Sequence, residues 1–277
     1  MFEIMRTVLL LSILTGLFLG AGYYLGGSGG ATIALILSLA MNFFAYWYSD
    51  KIVLKMYNAK EISKSQDPKI HKMVEEIAEE AKIPKPKIYL VEQKSPNAFA
   101  TGRDPKNSAL AVTSGLTDIL DENELKGVLA HEISHIKNRD TLISTLAATF
   151  AGALAFMAQT AYYGALFGNR DRERNPIGLI FMVIFVPLAA TIVRLAVSRG
   201  REFAADRTGA ILINDSDGLA SALRKISEAS KRVRLEGNAA TSHMFIINPF
   251  SGDFMINLLS THPSTEARIR NLKSLKF

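Results

Sequence analysis

The sequence predicts an α+β integral membrane protein in which four transmembrane helices carry a mainly helical cytoplasmic domain with a small β-sheet. Two observations lead there. Residues 7–25, 31–49, 141–168 and 176–193 contain no Asp, Glu, Lys or Arg, and each has roughly the 17–25 residues that cross a bilayer, or more. The rest of the chain is charged, with helical periodicity broken by short β-prone runs, so the 48% hydrophobic and 21% charged residues are strongly segregated along 277 positions. A positive mean hydropathy of +0.15 in a chain this charged has the same origin.

Along the chain, residues 1–50 read as a first transmembrane hairpin, with spans at about 7–25 and 31–49 joined by the turn GGSGG. The first apolar run is longer than the hydrophobic region of a cleaved signal peptide, and a second span follows at once, which disfavours removal. Residues 51–140 read as soluble. In DPKIHKMVEEIAEEAKI (67–83), Asp67 is a cap, Pro68 takes the first helical position, and Ile70, Met73, Val74, Ile77 and Ala81 share one face of an amphipathic helix. KIYLVEQ (87–93), AFATG (98–102) and ALAVTSGL (109–116) are β-prone runs bounded by Pro, Gly, Asn and Asp. The edge of such a sheet suits either an added peptide strand or an ordinary hairpin. Asp121 and Glu124 then form a capping-box pattern ahead of Leu125, Val128, Leu129, Ile133 and Ile136 at helical spacing. Residues 141–198 form the second hairpin, with spans at about 141–168 and 176–198. A core hairpin of a soluble enzyme is the alternative, and all-round apolarity favours lipid. Pro187 is placed to kink the fourth span and Arg194 to snorkel at its end. Residues 199–277 return to a soluble composition.

LAHEISHIKNRD (129–140) carries the chemistry. Positions four apart on a helix differ by about 400°, so His131 and His135 stand one turn apart on one face and can reach one ion. Glu132 lies about 100° round from His131, badly placed as a third ligand but suited to touch a water at the metal. The metzincin pattern fails, because Asn138 and Thr141 stand where its Gly and His belong. A third ligand is needed, and SRGREFAAD (198–206) places Glu202 and Asp206 on one helical face. That pair suits a carboxylate ligand with a second carboxylate orienting a histidine. It equally suits a solvated helix laced with Arg199, Arg201 and Arg207, and spacing alone leaves both open.

Topology links the two segments, since two spans between His135 and Glu202 return the chain to the side it left. Lys51, Lys55, Lys137, Arg139, Arg199 and Arg201 crowd the flanks on that side, and the first interspan turn has no charge, so the catalytic segments are expected in the cytoplasm. NRDRERN (169–175), with three arginines facing outward, disagrees in part. The net charge of +6 accompanies no nucleic-acid motif and flanks the spans, making lipid rather than nucleic acid the expected partner. The absence of cysteine excludes disulfides and thiolate ligands, leaving His and carboxylate for a metal.

PNAFATG, LAHEISHIKNRD, SRGREFAAD, SHMFIINPFSG and STHPSTEARI, in this order and interleaved with four spans, resemble the HtpX heat-shock membrane metalloproteases, relatives of the CAAX prenyl proteases. The resemblance runs from the first span to residue 270. It implies a gluzincin-type centre with one Zn2+ per chain, held by His131, His135 and Glu202, with Glu132 as general base and Asp206 behind a ligand. It further implies that Asn97 and Ala98 lie on a substrate-binding edge strand and that His262 and Arg268 act near the substrate or oxyanion. Ser264 departs from the proline usual after His-Pro. The implied function is cleavage of misfolded or damaged membrane proteins, with unfolded or membrane proteins as substrates and a multi-pass location in the cytoplasmic (inner) membrane of a prokaryote. A prenyl-peptide protease is a rival, although four spans make poor walls for a large intramembrane chamber. A zinc-stabilised scaffold is another, and it gives no reason for Glu132. His71 is expected to be an exposed helical residue and His243 structural.

Overall fold

The computed structural model of the chain describes residues 2–146, 199–231, 245–246 and 263–276. Helix α1 runs over Phe2–Met56 but contains a reversal at Gly26 and Gly27. Gly27 has φ +57° with ψ −143°, a conformation that only glycine adopts without strain, which is how GGSGG turns the chain. The two arms meet, because Asn42 Nδ2 donates to Thr15 Oγ1 at 3.0 Å. Among the described residues one helical segment, Gly26–Tyr48, is by length and composition able to cross a membrane, with 23 residues at mean hydropathy 1.6. The first arm, where the span 7–25 is expected, is helical throughout. The expected third and fourth spans lie outside the described residues, apart from 141–146, which are helical.

The soluble elements follow as β1 (Lys60–Glu61), α2 (Pro68–Ala81), β2 (Lys87–Val91), β3 (Ala98–Asp104), β4 (Asn107–Thr113), α3 (Ser114–Ile119), α4 (Glu122–Lys137), α5 (Arg199–Ile213), α6 (Asp217–Ser230) and α7 (Thr265–Lys273). Helix α2 starts as its sequence dictates: Asp67 accepts from the Ile70 amide, and Pro68 needs no amide partner. It stops at Lys82 in the left-handed region. His71 sits on this helix as expected but is half-buried rather than exposed, because its Nε2 is 3.0 Å from the Ile62 carbonyl. The third β-prone run ends earlier than its composition suggests. The Thr113 hydroxyl accepts from the Leu116 amide and starts α3, so Ser114–Leu116 are helical. Ser264 caps α7 by accepting from the Ala267 amide at 3.2 Å, which gives the departure from proline a local use.

The sheet has order β1-β2-β4-β3, with β2 and β4 parallel and the other pairs antiparallel. Among the described residues, strand β3 is therefore an edge. Both sheet faces are covered, which explains why β4 is buried along nearly its whole length. Leu110 and Val112 point into a core shared with Ile77 of α2, Leu129 and Ile133 of α4, Leu223 of α6 and Leu272 of α7. Ala109 and Ala111 point the other way, with Phe99, against Val53 and Leu54 at the end of α1. Each large aliphatic side chain buried here contributes about 1.5–3 kcal/mol. The main core thus clamps α4 against the sheet on one side and α5 and α6 on the other.

Candidate metal centre

Helix α4 is anchored at its start. Asp121 accepts from the Glu124 amide, and Glu124 accepts from the Asp121 amide, completing the capping box. The Glu124 carboxylate also takes Ser221 Oγ and Lys225 Nζ of α6, each at 2.7 Å. Burial alone would raise the pKa of Glu124, but these hydrogen bonds and the Lys225 charge hold it below the usual value. Two turns on, His131 and His135 present their rings to α5 with centroids 4.7 Å apart.

Helix α5 meets this face through Glu202, Asp206 and Gly209, spaced i, i+4 and i+7. Gly209 is needed because a Cβ there would lie 2.9 Å from the His131 backbone nitrogen and 3.0 Å from the Ala130 carbonyl carbon. The close approach brings Glu202 Oε2 to 3.7 Å from His131 Nε2 and Oε1 to 3.6 Å from His135 Nε2. One ligand atom from each of the three residues lies within 4.8 Å of the others.

A carboxylate sets each imidazole. His131 Nδ1 is 2.9 Å from Asp206 Oδ1, and His135 Nδ1 is 3.2 Å from Asp140 Oδ2. When the Nδ1–H of each ring donates to its carboxylate, both Nε2 lone pairs point to one place. The two Nε2 atoms stand 3.2 Å apart. Converging lone pairs repel unless a cation or a proton lies between them. Two nitrogens bound to one tetrahedral zinc at about 2.0–2.1 Å would be separated by about 3.3 Å. The donor set, two imidazoles and a carboxylate without thiolate, therefore fits a zinc-like divalent metal.

Burial and neighbouring charges shift each titratable group of the cluster. Burial and the Arg268 charge lower the pKa of His131 against the opposing pull of Asp206. His135 is raised to about 9, because its hydrogen bond with Asp140 and the charges of Glu202 and Glu132 overcome burial. Glu132 is raised to about 7 by burial, with the Glu202 charge adding and the His135 charge and the Ala100 amide opposing. Burial would raise Asp206 too, but the Arg268 charge and hydrogen bonds hold it at about 2.

The expected residues His131, Glu132, His135, Glu202, Asp206 and Arg268 come together in this cluster. Arg268 is buried, donating from Nε and Nη2 to Asp206 at 2.9 and 2.6 Å and from Nη1 to the Ile246 carbonyl at 2.7 Å, with Nη1 3.6 Å from Glu202. Ala98 opens strand β3 with its side chain in the core, and Asn97 Oδ1 accepts from the Ile246 amide at 3.0 Å. His262 and His243 lie outside the described residues. Asp140 escaped the sequence reading. Five positions beyond His135, it reaches back because Arg139 adopts φ +60° and reverses the chain where α4 ends. Arg201 Nη1 approaches its other oxygen at 3.7 Å.

A helix-borne histidine pair converging with a carboxylate beside a buried glutamate defines a metallopeptidase class. The model of Peptidase family M48 matches residues 64–276, and the chain belongs to that family and to its HtpX branch. Curated relatives named "Protease HtpX homolog" include those of Sulfurihydrogenibium sp., 51% identical over 98% of this chain and 95% of its own length, and Pyrococcus furiosus, with the same three figures. The homologue of Methylibium petroleiphilum is 47% identical over 99% and 98%. The crystal structure of Ste24p from S. mikatae shares the fold at TM-score 0.53 and 16% identity, covering 98% of this chain and 65% of that one. Membership of this branch and the apolar helix Gly26–Tyr48 together mark a membrane protein.

Proposed function

We propose that the chain is a zinc-dependent endopeptidase of gluzincin type, with four spans and one metal per chain, facing the cytoplasm of a prokaryotic inner membrane. Its substrates are misfolded or damaged membrane proteins, and its role is their quality control. The observation that carries this reading is the convergence of His131, His135 and Glu202 to within 4.8 Å beside the buried Glu132.

When bound, zinc supplies Lewis acidity that makes water a nucleophile near neutral pH. Glu132, whose pKa burial raises to about 7, is suited to take the proton of that water as oxygen attacks the peptide carbonyl. The same carboxyl then passes the proton to the leaving amine as the C–N bond breaks, so no covalent intermediate with the protein forms. Asp206 and Asp140 hold the imidazoles in the tautomer that frees Nε2. Arg268 holds Asp206 and lies beside Glu202, which supports a positioning role over direct contact with the substrate oxyanion. His262 remains the residue proposed for that contact. Ala98 begins the edge strand on which an extended peptide would add, and Asn97 immediately precedes it.

The test is degradation of casein by the purified protein in detergent with added zinc. Cleavage should stop with chelator and in Glu132→Gln, while that variant keeps its metal. Undiminished cleavage by Glu132→Gln would sink the reading.

A further inference from the structure

The end of α1 carries a band of exposed aromatic side chains, Phe43, Phe44, Tyr46, Trp47 and Tyr48, at the last turns of the candidate span. Lys51 follows, with Nζ 5.2 Å from the Tyr48 ring centre. Amphipathic aromatics followed by lysine at one end of an apolar helix mark the level of the lipid headgroups. A residue from the catalytic sheet meets this level: the Arg103 guanidinium, on the β3–β4 hairpin, stacks 4.5 Å from the Trp47 ring centre.

The other end of β3 is fixed too. Phe99 packs on Val53 and Leu54, with its ring 5.1 Å from that of Tyr57. Trp47 to Leu54 or Tyr57 is a rise of about 10–15 Å along a helix, and Phe99 to Arg103 is about 13 Å along a strand. The two lengths agree, so β3 runs beside α1 with its Arg103 end toward the aromatic band. On the edge of β3 away from β4, the Ala100 amide approaches the Glu132 carboxylate closely enough to oppose the rise of its pKa. The Glu132 carboxylate, beside the metal centre, therefore lies level with a strand position three residues from Arg103, on the order of 10 Å along β3.

We propose that the tip of the β3–β4 hairpin, residues 103–107, docks in the phospholipid headgroup layer beside Trp47. Strand β3 then leads from the bilayer surface to the metal centre, and the polypeptide it receives is the extended juxtamembrane segment of a membrane-anchored chain. The substrate clause rests on the proteolytic reading above; the docking does not. The tip carries one net positive charge, which fits lipid phosphates: Arg103 stacks on an interfacial ring with Nε 3.5 Å from Asp104 Oδ2, Lys106 is exposed, and Asp104 also accepts from the Lys106 and Asn107 amides at 2.8 and 2.9 Å.

The full chain offers two clean probes, because Trp47 is its one tryptophan and it has no cysteine. In vesicles of phosphatidylcholine and phosphatidylglycerol, Trp47 should lose most of its emission to lipids brominated near the acyl carbonyl and less to lipids brominated near the chain end. A spin label on Lys106→Cys should be shielded from a water-soluble relaxation agent relative to one on Glu80→Cys, an exposed position on α2. Equal exposure of the two labels overturns the docking, as does strongest quenching of Trp47 at the bilayer centre or none at all. Neither readout needs turnover, so a failure here and a failure of the protease test are distinguishable.

Discussion

At the scale of single residues, the centre depends on which ring nitrogen of each histidine is left free. Asp140→Asn preserves size but removes the charge facing His135 Nδ1, and it should weaken metal affinity by about 10–100-fold. Competition with a graded chelator measures this without reference to activity; unchanged affinity would show that Asp140 does not orient the ring. The histidines, Glu132 and the capping pair were legible because helical spacing is local information. Asp140 was not, since its approach to His135 comes from the left-handed backbone of Arg139, which no periodicity encodes. Arg268 was named from resemblance, but its bidentate grip on Asp206 joins residues 62 positions apart and is set by packing alone.

At the scale of elements, α4 is the common wall of the core and the centre, so what fixes its start also fixes the site. Glu124 ties that start to α6 through Ser221 and Lys225. Its pKa is depressed from 4.5, so its stabilisation is present above about pH 4.5 and is lost as pH falls through the lower folded value. Glu124→Gln should accordingly lower the apparent Tm at neutral pH, by an amount reflecting about 1.5–3 kcal/mol for charged hydrogen bonds. The deficit should shrink in acid, where the native carboxyl is protonated too. A deficit constant across pH would mean that charge is not what the tie uses. Periodicity located α2 and α4 to within a few residues, because both are amphipathic against one core. It overran β4 into α3, where one threonine hydroxyl ends the strand, and it missed β1, two residues held only by pairing with β2.

At the scale of the molecule, the proposed four-span arrangement requires the segments carrying His135 and Glu202 to share one side of the membrane. Impermeant labelling of single cysteines should leave position 60 protected in intact cells and modify position 172; labelling of position 60 from outside would reverse the orientation. The order of strands, with β4 inserted between β2 and β3, was not legible, because β-prone runs state no pairing. Nor was the packing of α5 on α4, although Glu202, Asp206 and Gly209 at i, i+4 and i+7 were a readable sign of a buried face. On the proposed reading, this packing builds a metal centre. Anomalous scattering at the zinc absorption edge, from crystals of the zinc-loaded protein, tests it most directly. One peak per chain is expected, about 2.0–2.2 Å from His131 Nε2, His135 Nε2 and a Glu202 oxygen. A peak bound elsewhere, or none between these residues in protein that cleaves casein, would contradict it.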